Sequence, residues 1–274
     1  MQQKNALLAT MVFTMIEPKL HYYNFGEGVS AFSTMRQGGY SKGNYADFNI
    51  NSYCGDEEEA IKKNRKALCT LLGISEDHLL MPHQVHLTEL AIIDDDFMHR
   101  GIEERRQALD GVDALMTNLK GVCIGVSTAD CIPVLLYDPE HRAVCAIHAG
   151  WRGTVKRIVE HAVKKMSVVY GTHATDIVAQ IGPGISLDSF EVGDEVYETF
   201  ANEGFPMELI SKRREKWHID LPACNRLQLE SMGVPIQHIT VSPICTFKQA
   251  DSFFSARRLG INSGRIFTAI ILLP

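Results

Sequence analysis

The residues best suited to chemistry sit at the two ends of one predicted hairpin. Cys131 follows Asp130 and opens the apolar run Ile132 to Tyr137. His148 follows the run Ala143 to Ile147, just ahead of Gly150-Trp-Arg-Gly153. The polar break Asp138-Pro139-Glu140-His141 separates the two runs, which is the pattern of two buried strands joined by a turn. An antiparallel pair sets the start of one strand beside the end of the other. Cys131 and His148 are therefore expected as neighbours, with Thr128, Asp130, Trp151 and Arg152 around them. A thiol and an imidazole on a rigid sheet allow two chemistries: a Cys–His nucleophilic pair, or a metal site with soft and borderline ligands. His83 and His86, in Pro82-His-Gln-Val-His86, read equally as metal ligands or as loop histidines.

The elements that must position these residues alternate between helix and strand. Strands are expected within Tyr22–Phe32, Thr88–Ile93, Ile177–Ile181, Ile239–Ile244 and Ile266–Leu272. Helices are expected over Asp56–Leu72 and Gly153–Val168, after Gly193, and from Asp220 or Pro222. In the first helix Glu57, Glu58 and Glu59 precede Lys62, Lys63, Arg65 and Lys66, an order that suits the helix dipole. The start of the Gly153 helix offers an anion site beside the Cys–His pair. Arg36 lies in a loop with three glycines, where it serves either as an anion contact or as a solvated side chain. Asp110 and Asp113 read as turn residues or general bases, and Lys212 to Trp217 as a surface turn. No repeat or linker divides the chain and helices and strands are mixed throughout, so the expectation is a single α/β (α+β) domain over residues 15–274 with mixed or antiparallel sheets.

Composition narrows the class. The chain has 274 residues, a formal net charge of −6 and 22% charged residues, which speaks against a nucleic-acid binder, usually basic. No apolar run approaches a membrane span. The seven cysteines, an odd number with no C-x-x-C pair, suit a reducing cytoplasm better than a disulfide scaffold. Lys4 followed by Ala6 to Ile16 is a weak signal-like stretch without a cleavage site. Residues 1–14 are expected to be a dispensable leader.

Taken together, the motifs resemble the YfiH-type family, historically labelled multicopper polyphenol oxidase or laccase-domain proteins. The matching stretches are Phe32-Ser-Thr-Met-Arg36-Gln-Gly-Gly39, Asn64-Arg65, His83-Gln-Val-His86, Asp110-Gly-Val-Asp113, Thr128-Ala-Asp-Cys-Ile-Pro133, Ile147-His-Ala-Gly-Trp-Arg-Gly153, Ile181-Gly-Pro183, Phe190-Glu-Val-Gly193 and Phe253-Phe-Ser-Ala-Arg-Arg258. The resemblance implies a single domain of layered mixed β-sheets flanked by helices, the fold shared with certain toxin deamidases. It also implies zinc held by His86, Cys131 and His148, with these three as the catalytic residues. The chain departs from the pattern at Ala256, where the resemblance implies tyrosine, and at Gly184.

The activities the resemblance implies are phosphorolysis of purine nucleosides and deamination of adenosine. Arg36, Asn49, Arg152 and Arg258 are the expected substrate contacts. Three ligands with a fourth position open is the arrangement of a catalytic zinc site, and it is poor for a multicopper oxidase, which clusters more histidines. The expected partners are purine nucleosides and phosphate, with no nucleic acid and no membrane, for a cytoplasmic monomer or small homo-oligomer. The rival is a metal-free amide hydrolase with Cys131 as nucleophile and His148 as base; hydrolytic editing of a cell-wall precursor is a further alternative.

Overall fold

The computed structural model describes residues 17–274; the expected leader, residues 1–14, lies outside them. In chain order the strands are β1 Leu20–Tyr23, β2 Val29–Thr34, β3 Leu79–Leu80, β4 Leu90–Ile93, β5 Ala114–Thr117, β6 Cys123–Thr128 and β7 Ile132–Asp138. They continue with β8 Ala143–Ala149, β9 Val178–Ile181, β10 Glu191–Val192, β11 Ser211–Arg213, β12 Trp217–Ile219, β13 Ile239–Val241 and β14 Ile266–Leu272. Five strands form one sheet in the order β1-β2-β14-β6-β3, and six form a second in the order β13-β9-β7-β8-β5-β4. A small third sheet, β10-β12-β11, includes the segment expected as a surface turn. Both large sheets mix parallel and antiparallel pairs.

The two large sheets pack face to face, and helices cover their outer faces. Along β14, Ile270 and Leu272 point into the layer between the sheets, against Leu135 and Val144. The alternate residues Phe267, Ala269 and Ile271 point outward onto Leu68 and Cys69 of the helix Glu58–Leu72. Strand β7 divides in the same way. Leu135 and Tyr137 enter the inner layer, while Val134 and Leu136 meet Ile158 and Val163 of the helix Ile158–Tyr170. Burial on both faces explains why these strands read as continuous apolar runs rather than alternating ones.

The helix expected over Gly153–Val168 is two helices, Trp151–Val155 and Ile158–Tyr170, broken at Arg157, whose φ is 61°. The cause is a side chain from elsewhere. Gln228, on the helix Leu221–Ser231, donates from Nε2 to the Thr154 carbonyl at 2.9 Å and accepts from the Val159 N–H at 3.2 Å. It satisfies the Val159 N–H, which the break would otherwise leave buried and unpaired, and adds a second donor to the Thr154 carbonyl, which also accepts from the Arg157 N–H at 3.0 Å. Arg157 extends over the Phe205 ring, 3.7 Å from its centroid, and donates to the Glu203 carbonyl. The Tyr22–Phe32 stretch likewise divides, into β1 and β2 around a turn with Gly26 and Gly28 at positive φ.

Candidate active site

The β7–β8 hairpin forms as its sequence demands. Pro133 pairs with His148 and Ile132 with Ala149, so Cys131 lies one step beyond the last pair, level with Gly150. Strand β5 flanks β8 on the other side, with Ala114 opposite Ile147. Asp113 therefore stands beside His148, and its carbonyl accepts the His148 N–H at 2.8 Å. The fully buried Asp113 carboxylate also accepts from His148 Nδ1 at 2.7 Å. It accepts further from the backbone N–H groups of Val85, His86 and Leu87, at 3.3, 3.0 and 2.8 Å. One carboxylate thus fixes the imidazole of His148 and the loop that presents His86. That loop needs an anchor, because His86 has φ 64°, in the left-handed region where a side chain is strained.

His86, Cys131 and His148 offer ligand atoms that all lie within 4.8 Å of one another. With His148 Nδ1 engaged by Asp113, its Nε2 faces the cluster, the usual division of labour in a metal-binding histidine. Gly150 completes the cradle. A Cβ there would meet His86 Cδ2 at 2.8 Å and Cys131 Sγ at 3.1 Å. Burial alone would push the Cys131 thiol up, but His148 and then His86 outweigh it and bring it down to about 6. Burial opposes charge on His148 as well; the Cys131 sulfur and Asp113 overcome it and raise the imidazole to about 9. For Asp113 the same contest between burial and the bond to His148 ends with the carboxyl below its ordinary range. Paired charges of this kind, gathered where polar groups converge, mark functional sites.

The cluster forms the floor of a cavity of about 520 Å³. Gln84 shapes one wall by a two-way bond with the Ser127 backbone, donating at 2.8 Å and accepting at 2.7 Å. Asn51 donates to Ser127 Oγ at 2.6 Å. At the mouth Tyr53 stacks on His83, centroids 4.2 Å apart, and Asp110 holds His83 Nδ1 at 2.6 Å. Arg265, Asn262 and Ala256 close the opposite side, so the departure from the expected tyrosine falls on the cavity wall.

Of the seven residues expected at the site, the structure brings together His86, Cys131 and His148 and leaves the other four off the cavity lining. Arg36 donates from Nε to the Ala46 carbonyl at 3.0 Å, donates also to the Ala250 carbonyl, and lies over the Phe254 ring. Asn49 is fully buried, donating to Asp56 Oδ2 at 2.9 Å and accepting from the Arg265 N–H at 3.1 Å. Arg152 is exposed and packs on the Trp151 ring. Arg258 is exposed over Phe247. Asp130 turns away from Cys131 to hold Thr246 Oγ1 and the Arg257 N–H, each at 2.7 Å. The sequence reading missed the roles of Gln84, Asn51 and Arg265. For Asp113 the signal was present in Asp110-Gly-Val-Asp113, one residue ahead of a strand that pairs with the His148 strand.

This layered α/β fold has known counterparts. The chain belongs to the family described as multi-copper polyphenol oxidoreductase laccase, whose model matches residues 30–273. Among curated relatives it is 49% identical over 247 residues to "Purine nucleoside phosphorylase" of Bacteroides thetaiotaomicron, covering 89% of this chain and 92% of that one. It is 45% identical over 260 residues to "Adenosine deaminase RL5" of an unknown prokaryotic organism, covering 93% and 99%. The crystal structure of YlmD from Geobacillus stearothermophilus matches with a TM-score of 0.84 and 31% identity, over 90% of this chain and 93% of that one.

The family description implies several copper ions. All eleven histidines and all seven cysteines lie among the described residues, and among these His86, Cys131 and His148 form the one cluster able to hold a metal. A multicopper centre needs several imidazole-rich sites. The side chains of this protein do not fit that group, whereas the cluster, cradled by Gly150 and oriented by Asp113, fits a single ion.

Proposed function

We propose that the protein is a zinc-dependent purine nucleoside phosphorylase with adenosine deaminase activity, acting on nucleosides of the adenosine, inosine, guanosine and methylthioadenosine class. The observation that carries this reading is the His86–Cys131–His148 cluster at the floor of a cavity large enough for a nucleoside. Two imidazoles and a thiolate suit zinc, and the relatives' names support the substrate class. Bound there, zinc would supply a Lewis acid with a position open to substrate. Asp113 keeps His148 in the tautomer whose Nε2 faces the cluster and holds the His86 loop in place. Gln84 and Asn51 fix Ser127 and so the shape of the wall against which the nucleoside rests.

In phosphorolysis a phosphate oxygen bonds to ribose C1′ as the C1′–N9 bond breaks. The bonding pair leaves with N9, which takes up a proton, giving free base and ribose 1-phosphate. Water directed at C6 of adenosine instead displaces ammonia and gives inosine. The test is incubation of purified protein with each nucleoside, with and without phosphate, followed by product identification. Phosphate-dependent release of base, with ribose 1-phosphate, is the expected result; absence of any nucleoside product would reject the reading.

One observation favours a second reading. The Cys131 thiol is held low and the His148 imidazole high, the state of a cysteine nucleophile beside its partner. It supports a metal-free amide hydrolase with Cys131 as nucleophile and His148 as base. Metal content of the purified protein, with alkylation of Cys131, separates the two.

A further inference from the structure

Arg265 is a cation on the cavity wall whose hydrogen-bond partners are all uncharged. It donates from one terminal nitrogen to Ser263 and Gly264, and from the other to the Ile261 carbonyl. These carbonyls hold the guanidinium rigidly without neutralising it, and Nε–H has no partner among the described residues. Asn49 fixes the Arg265 backbone from behind. A positioned, uncompensated guanidinium beside open space is suited to a planar or tetrahedral oxyanion.

A second observation comes from the neighbouring strand. Ile266 pairs with Thr128 across β14 and β6, so Arg265 lies at the same end of the sheet as Thr128. Thr128 also lines the cavity and is 1% exposed, and its hydroxyl is buried without a hydrogen-bond partner. A buried hydroxyl left unpaired costs free energy unless a ligand completes it. Cation and hydroxyl both belong to residues that line the cavity holding the His86–Cys131–His148 cluster.

We propose that Arg265 and Thr128 form the phosphate-binding subsite of this cavity, with Arg265 in the role expected from sequence for Arg36, Arg152 and Arg258. The proposal rests on the phosphorolysis reading for its ligand. The shared chemistry is a phosphate oxyanion, supplied either as free phosphate or as the 5′-phosphate of a nucleotide. Thr128 donates its hydroxyl proton to one phosphate oxygen, and Arg265 donates from Nε to another.

The experiment measures the melting temperature of the metal-loaded protein with inorganic phosphate and, separately, with inosine 5′-monophosphate, for the unmodified chain, Arg265→Gln and Thr128→Val. Inorganic phosphate should raise the melting temperature of the unmodified protein and fail to do so for Arg265→Gln. In turnover, Arg265→Gln should raise the phosphate KM about tenfold to a hundredfold, as expected for loss of a charge-assisted bond, while the nucleoside KM moves far less. Thr128→Val removes no bond present in the free protein. It should keep or raise the ligand-free melting temperature and weaken phosphate about threefold to tenfold. Stabilisation by the monophosphate alone, lost in Arg265→Gln, supports the same subsite with a nucleotide as its source. Phosphate and monophosphate responses that survive both substitutions overturn the proposal. The melting assay does not depend on turnover, so failure to cleave any nucleoside would count against the proposed function and leave the subsite separately testable.

Discussion

Asp113 ties together more of the site than either imidazole does. Its carboxylate accepts from His148 Nδ1 and from three consecutive N–H groups of the His86 loop. Asp113→Asn keeps the shape but offers one oxygen where two accepted, and an amide N–H that faces other donors. Loss of such a partner typically weakens metal affinity about 10- to 100-fold; competition with a chelating dye should show a loss in that range, with the fold retained by circular dichroism. Arg36 belongs to a different class of residue. It bonds two loop carbonyls and covers Phe254, so Arg36→Ala should cost about 1–3 kcal/mol of stability and leave both KM values near those of the unmodified protein. A raised phosphate KM at unchanged melting temperature would restore it to the site. The contrast between these two residues shows what was legible. Cys131 and His148 could be placed together because a hairpin makes neighbours of residues 17 apart. Arg36 could not be placed, because whether a loop arginine meets carbonyls or ligand depends on segments 10 and 214 residues away.

The hairpin β7–β8 carries the site, and its end is where the element is most constrained. Gly150 has φ −66°, which alanine adopts freely, so only space forbids a side chain there. Gly150→Ala would drive a methyl group against His86 and the Cys131 sulfur. The expected outcome is loss of bound metal from a protein that still folds, read by metal analysis beside a thermal melt. Full metal content in Gly150→Ala would show that the cradle is looser than its contacts imply. Neighbouring elements differ in how far local sequence reveals them. Strands β7, β8 and β14 read cleanly because each is mostly apolar, with one polar residue among seven. The interruption at Arg157 was illegible because Gln228, which lies 69 residues beyond Val159 and 74 beyond Thr154, bonds to both. Gln228→Leu should destabilise by about 1–3 kcal/mol by leaving the buried Val159 N–H unpaired, seen as a lower urea midpoint with an unchanged slope.

At the scale of the whole molecule, two sheets back to back and helices outside place the cluster at one end of the central strands, where loops from both sheets meet. The family resemblance implied this layering, and the long apolar runs of β7 and β8 accord with it, since strands buried on both faces require cover on both sides. The cavity walls were harder to foresee, because Asn51, Gln84, Ser127 and Arg265 come from four separate segments joined only by tertiary pairing. Because the three proposed ligands come from the His86 loop, β8 and the residue ahead of β7, a bound ion should stabilise the entire domain. An ion present at a thousandfold its dissociation constant contributes about 4 kcal/mol, so chelation should lower the melting temperature and zinc should restore it. The most direct test of the central claim joins metal content to turnover. Purified protein and Cys131→Ser are analysed for zinc and assayed with inosine and phosphate before and after exhaustive chelation. The account predicts about one zinc per chain, absent in Cys131→Ser, and phosphate-dependent release of hypoxanthine that disappears on chelation and returns with zinc. Full activity in demonstrably metal-free protein would contradict it and favour the reading of Cys131 as a nucleophile.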